Sequence, residues 1–361
     1  MLKNVEWGKF KIDDLFESSN GDFDIQKEHI NGNGNYVITA GLSENGILGK
    51  TDVVAKIFDK NTITIDMFGN VFYRQFKYKI VTHARVFSLK AKFKITEKQG
   101  LFLSNSFHYI NKKFGYENMC SWIKIKDETI HLPTKNSKID FDFMESFISE
   151  LEEERLSQIE AYLLTTGLND YRLNYKEQQV LEDFEKAKIE FGEFTYNSIF
   201  NKIVQGRRLK KDDQISGNIP FVMAGITNTG VVNYISNPVV SFPKNSITID
   251  IFGNTFYRSY EFGAGDDTGV YWSDEKEYSK ETMLFFTTSM RKSLYKKFDF
   301  GKKLRSSQSL NFKMILPAQN KQPDYEIMET FISAIQKLVI KDVVLYADKK
   351  IATTKSVVNS K

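Results

Sequence analysis

Two carboxylates and two guanidinium groups stand at one repeated spacing. Asp66 and Arg74 lie in Asn61-Thr-Ile-Thr-Ile-Asp-Met-Phe-Gly-Asn-Val-Phe-Tyr-Arg74, and Asp250 and Arg258 in Asn245-Ser-Ile-Thr-Ile-Asp-Ile-Phe-Gly-Asn-Thr-Phe-Tyr-Arg258. A carboxylate can serve as a general base, and an arginine can hold a phosphate or read a base edge. Each Asp, however, precedes a Gly-Asn turn, where such a side chain commonly accepts from backbone N–H groups, so catalysis is not expected of it. The four histidines (His29, His83, His108, His131) show no metal-ligand spacing. No phosphate-cradling glycine loop or dinucleotide fingerprint occurs. Nor is there an Asn/Asp-Pro-Pro-Tyr/Phe tetrad or an Asp…Glu-x-Lys cluster. The searches leave no catalytic group, metal site or bound cofactor to assign to this chain.

What remains is basic and polar groups mixed with aromatics. Arg74 and Arg258 close the two motifs beside Tyr73 and Tyr257. Lys112-Lys113 and Lys296-Lys297 stand at expected helix ends. Arg207-Arg208-Leu209-Lys210-Lys211 and Lys302-Lys303-Leu304-Arg305 occur in the second half alone. Lys and Arg neutralise phosphates, while Arg, Asn and Gln also read base edges. Directly after the shared motif, Lys77, Lys79, His83 and Arg85 stand against Glu261, Asp266, Asp267 and Gly269. A common framework followed by a charge-swapped segment points to two readers with different targets. An ordinary solvated surface would carry the same charges, and Tyr73 and Tyr257 fit a core role better than base stacking.

The motif is one part of a longer repeat. Eleven of its 14 positions are identical at an offset of 184 residues. The same offset pairs Trp7-Gly8-Lys9-Phe10 with Phe191-Gly192-Glu193-Phe194, Lys112-Lys113-Phe114 with Lys296-Lys297-Phe298, and Leu132-Pro133 with Leu316-Pro317. It holds without a gap from the first pair to the last. Solenoid units run about 20–50 residues, so this is a duplicated domain. A chain of 361 residues accommodates two. The net charge of +4 divides unevenly: +6 over 1–139, −9 over 140–190, +6 over 191–323 and +1 over 324–361. Two basic modules joined by an acidic segment suit two DNA-facing domains with a spacer turned away, although compositional drift would do the same. One cysteine, Cys120, and no long apolar run point to a soluble, cytoplasmic protein with no membrane contact.

The elements that must carry these residues follow from periodicity. Thr62–Asp66 alternates as a strand, and Gly69-Asn70 and Gly253-Asn254 read as two-residue hairpin turns. Tyr36–Ile38 and Ile219–Val222 read as strands, Gly41–Gly46 and Gly225–Gly230 as loops, and Leu103–Phe114 and Thr287–Phe298 as helical. After each Leu-Pro comes a long helix. Met144, Ile148, Leu151 and Ile159 line one, and Met328, Ile332, Ile335 and Val339 line the other. The expected partner of each stripe is the other helix, packed antiparallel; the alternative is that each packs on its own module. Gly167 should cap the first helix, Asn174 with Glu177 should open a second one running to about Ile189, and the chain from Asp348 should fray. The fold class is α+β: two modules, 1–139 and 191–323, each followed by a helical segment, 140–190 and 324–361.

This arrangement resembles the specificity subunits of type I restriction–modification enzymes. Ile63–Arg74 and Leu132–Ile148 resemble in particular the branch shared with type IIB systems, where such a subunit serves a fused nuclease–methyltransferase chain. The resemblance covers nearly the whole chain. It implies two pseudo-symmetric target recognition domains, each reading half of a bipartite, asymmetric site on double-stranded DNA. It also implies two spacer helices paired as an antiparallel coiled coil that fixes the gap between half-sites. The partners it implies are methyltransferase subunits, with a nuclease or translocase subunit beyond them. S-adenosylmethionine and Mg would sit on those partners, and this chain would be non-catalytic. A stand-alone duplicated DNA-binding regulator or antirestriction protein would share the repeat.

Overall fold

The computed structural model describes residues 2 and 5–359, leaving aside the side chains of 351–359. The chain divides into two compact units, one ending at Ile159 and the other beginning at Glu160.

In the first unit a four-stranded antiparallel sheet runs in the order Phe16–Asn20, Phe87–Ala91, Thr62–Ile65, Val71–Arg74. Every residue of Thr62-Ile63-Thr64-Ile65 is buried, and the alternation decides how. Ile63 and Ile65 enter the main core with Phe16, Leu89, Leu103 and Phe107. Thr62 and Thr64 point to the other face and meet polar partners there, Tyr78 OH at 2.8 Å and Arg74 Nε at 2.9 Å. A second sheet, Ile47–Thr51, Asn35–Ile38 and Tyr78–Ile80, holds a smaller core around Val37, Tyr78 and Ile80. Its last two strands are parallel. The second unit repeats the plan with Lys202–Gln205, Thr268–Trp272, Ser246–Asp250 and Thr255–Arg258, and with a parallel pair Ser216–Val222 and Phe262–Ala264.

The gap-free offset does not survive the strand register. Ile63 pairs with Leu89 and Ile247 with Tyr271, a separation of 182 between those two partners. The helix caps Thr96 and Ser279 differ by 183, and Ile110 and Leu294, which close over Gly69 and Gly253, return to 184. The segment after Ile80 is therefore longer than the one after Ala264, and matches on either side hid it. His83 and Arg85 have no one-to-one counterparts in Asp267 and Gly269.

Several local expectations also change. The connection at Gly69 is five residues long, Asp66–Asn70, and not a two-residue turn. A helix begins earlier than expected, at Glu97, because Thr96 and Gln99 form a capping box; it ends at Asn105, and a 3-10 turn covers His108–Lys112. The counterpart is one helix, Lys280–Leu294. The first long helix spans Phe141–Thr166, and Gly167 at φ 69° closes it, with Gly167 N–H donating to Leu164 O and Leu168 N–H to Leu163 O. Asn174 and Glu177 form the expected capping box, but this helix stops at Glu185, where Ala187 adopts φ 52°. The last helix runs from Tyr325 to Asn359, through the segment expected to fray.

The apolar stripes begin on their own modules. Met144 and Ile148 belong to the first unit's core and Met328 to the second's. Phe143 and Phe147 ring-pack with Phe102, and Phe331 with Phe285 and Phe184. Further along, Leu151, Ile335 and Val339 are exposed, Ile159 and Ile332 are half-buried, and the buried positions are Leu163, Ala334, Val344 and Ala347. Among the described residues no helix is long and apolar enough to cross a membrane, and no cluster of three His, Cys, Asp or Glu could hold a metal.

Candidate nucleic-acid interface

The shared motif is a clamp. Asp66 Oδ1 accepts from the N–H groups of Phe68 and Asn70, each at 2.9 Å, and Oδ2 accepts from Asn70 Nδ2 at 2.9 Å and Gly41 N–H at 2.8 Å. Asp250 repeats all four bonds with Phe252, Asn254 and Gly225. The carboxylate is thus consumed by backbone and amide donors, as a structural Asp should be. Arg74 is 2% exposed. Its Nε donates to Thr64 Oγ1 and its NH2 group to Asn45 O at 2.8 Å. Arg258, 1% exposed, donates to Thr248 Oγ1, to Thr229 O at 2.6 Å and to Tyr260 OH. Neither guanidinium reaches a surface, so neither is placed to touch DNA. Burial lowers the Arg74 pKa to about 10 and moves Arg258 the same way. Tyr73 and Tyr257 bind Asn61 and Asn245 through their hydroxyls and pack on the cores.

The Asp and the Arg hold the two ends of one loop. Gly41–Gly46 starts on Asp66 and ends under Arg74, with Thr39 N–H donating to Gly46 O at 2.8 Å. Gly225–Gly230 is held in the same way, with Met223 N–H on Gly230 O. Glu44 and Asn45 have φ of 48° and 53°, and Asn228 and Thr229 have 46° and 52°. Non-glycine residues rarely enter this region, and a β-branched Thr does so least of all. Between half-buried Gly41 or Gly225 and buried Gly46 or Gly230, all four residues of each loop are exposed, among them Leu42 at 70% and Ile226 at 72%. The sequence showed these segments only as loops. The signal available was Gly-x4-Gly kept in both copies.

Other segments gather at the same end of each unit. Val81 N–H donates to Ile38 O, which brings exposed His83 and Arg85 beside the start of the loop. His83 Nδ1 lies 2.5 Å from Asp24. On the far side of the Asp66 turn, Cys120 N–H donates to Met67 O and exposed Tyr116 packs edge-on against Phe68. In the second unit exposed Phe300 packs against Phe252 at a tilt of 41°. Lys112, Lys296, Lys297, Lys302 and Lys303 are exposed along these segments; Lys113 is exposed too but paired with Glu128. In the second unit Arg208, Lys210 and Lys211 line a cleft of about 670 Å³ with Met223, Asn233 and Asp266, while Arg207 is exposed next to it. Arg305 donates to Asp266 O.

Two further candidates are corrected. Lys79 is buried at 3%, its ammonium donating to the carbonyls of Thr51 and Val53, so it is held inside the protein although its strand lies at the edge of the sheet. Asp267 accepts from Ala224 N–H at 3.0 Å and supports the loop. Lys77 is exposed.

Each of the two duplicated α+β modules thus carries one clamped loop fringed by basic residues. The family model described as "Type I restriction modification DNA specificity domain" matches residues 4–161 and again 188–345, and the chain belongs to that family. It is a non-catalytic specificity subunit of a restriction–modification system. The specificity subunit S.BcgI of the type II restriction enzyme BgcI from Heyndrickxia coagulans is 24% identical over 93% of this chain and 96% of its own length. A crystal structure of the type I restriction–modification S subunit from M. genitalium shares the fold, with a TM-score of 0.59 at 16% identity over 99% of this chain and 95% of that one.

Proposed function

We propose that this chain recognises a bipartite, asymmetric sequence in double-stranded DNA, one half per unit, and positions partner adenine methyltransferase subunits on it. The observation that carries the reading is the clamped loop built twice, at the same end of each unit, from the same Asp and Arg. A loop held at both ends loses little entropy on binding. The basic residues around it suit phosphate contacts that set orientation without reading sequence. The family resemblance, and the long helix that follows each module, support pairing of the two helices as an antiparallel ruler between the half-sites. S-adenosylmethionine and Mg belong to the partners, a fused nuclease–methyltransferase chain or separate methyltransferase and nuclease subunits, and the complex works in the cytoplasm. Methylome sequencing of a host carrying this chain with its methyltransferase is the test. A split adenine-methylated motif with a fixed gap is expected; methylation without such a motif overturns the reading.

A further inference from the structure

We infer that sequence choice resides at the tips of the two clamped loops, Leu42-Ser43-Glu44 in the first unit and Ile226-Thr227-Asn228 in the second. This rests on the proposed reading of DNA and assigns residues within it.

Three observations converge on these tips. The first is architecture. The charged groups of the most repeated stretch are buried and bind the loop ends, with Asp66 on Gly41 and Arg74 on Asn45, and with Asp250 on Gly225 and Arg258 on Thr229. A framework so closely kept around a short loop positions whatever the loop displays. The second is strain. Both units hold two consecutive non-glycine residues at positive φ in the loop, at matching angles. Such residues cost free energy and persist where the surroundings over-determine them, which marks a shape kept for use. The third is exposure. Each tip displays a large aliphatic side chain to water at the same position, Leu42 and Ile226, although each unit has a core that could take it.

The chemistry at the tips differs between the units as readers of different half-sites require. An exposed aliphatic group suits the thymine methyl in a major groove. Glu44 can accept only, which matches the exocyclic amine of cytosine. Asn228 offers an acceptor and a donor, which matches the adenine edge. Its Nδ2 lies 3.3 Å from Val231 O, leaving a second N–H and the carbonyl oxygen for a base. Residues 45 and 229 are tied down by the arginines through their carbonyl oxygens, and Thr229 Oγ1 also accepts from Arg258, so they anchor rather than read. Ser43 and Thr227 are conservative counterparts and carry less of the difference.

The test uses the full chain with its methyltransferase and reads the methylome. In one variant the first tip takes the second tip's residues, by Leu42→Ile, Ser43→Thr and Glu44→Asn. The expected result is a changed first half-site, with the second half-site and the gap unchanged. In a second variant, Glu44→Gln alters one exposed charge without changing shape. It should lower methylation of the original site roughly 10-fold, the scale of one base contact, and relax one position of the first half-site. An original motif retained at full rate in Glu44→Gln, or in the exchange, overturns the assignment. If the exchange abolishes methylation, Glu44→Gln decides. A wild-type complex that yields no split motif would instead sink the DNA-specificity reading itself, so the two failures are distinct.

Discussion

Arg74 ends a strand in which it is the only charged residue, and its guanidinium makes both of its recorded bonds inside the protein, to Thr64 and to the Asn45 carbonyl. Removing it would leave a buried hydroxyl and a loop carbonyl without donors. Arg74→Met is expected to lower stability by about 3 kcal/mol, in the range for losing one member of a buried charged network. Urea unfolding measures this. The salt dependence of DNA binding by the assembled complex should keep its slope, because no phosphate contact is lost. A shallower slope with unchanged stability would return Arg74 to the DNA surface. At this scale the sequence was informative about kind and not about direction. Asp66 and Asp250 were readable as structural, since an Asp before a turn has backbone donors within reach. Arg74, Arg258 and Lys79 were misread as surface charges, because a long basic side chain in a strand looks the same whether its face meets water or a second sheet. Arg85, Lys112 and Lys302, read from the sequence as DNA contacts, are exposed.

The helix Tyr175–Glu185 docks on the last helix through the Phe184–Phe331 ring contact, the exposed Lys176–Glu326 ion pair and one buried carboxylate. Glu177, 3% exposed, accepts from Ser333 Oγ at 2.7 Å, from Lys337 Nζ at 2.9 Å and from Asn174 N–H at 2.8 Å. Burial opposes its charge, but these hydrogen bonds and the Lys337 ammonium prevail, and its pKa lies below the ordinary carboxylate range. A depressed folded pKa contributes stability that is present above the unfolded value, about 4.3, and is lost as pH falls through the folded one. The second unit should therefore loosen in acid below about pH 4.3, and Glu177→Gln should flatten that part of the stability–pH curve. Circular dichroism melts from pH 3 to 7 (a range set by the ordinary carboxylate pKa) would show it; identical curves for both proteins would remove Glu177 from the acid response. The capping box that opens this helix was legible from Asn174 and Glu177 alone, because the motif is local. That the same Glu177 also fastens the helix to Ser333 and Lys337 was not, because those partners are more than 150 residues away.

For the whole molecule, helix length is the quantity the proposed ruler turns into DNA spacing. The first long helix has 26 residues and the last has 35. Adding one heptad to each preserves the side-chain face and lengthens each by about 10 Å, close to three base pairs. The methylome of such a variant should show the two half-sites unchanged and the gap wider by about three base pairs; an unaltered gap would refute the ruler. Duplication, the α+β alternation, the helix caps and the family resemblance were all determined by the sequence itself, because each is a pattern repeated at fixed spacing or completed within a few residues. The strand register, which separates Leu89 and Tyr271 by 182 rather than 184 residues, was decided only in the tertiary structure. So was the division of the basic residues into struts and surface groups, and so was the gathering of loop, turn and lysines at one end of each unit. Those outcomes depend on which face of each strand the second sheet covers, and that is settled by packing between segments far apart in the chain.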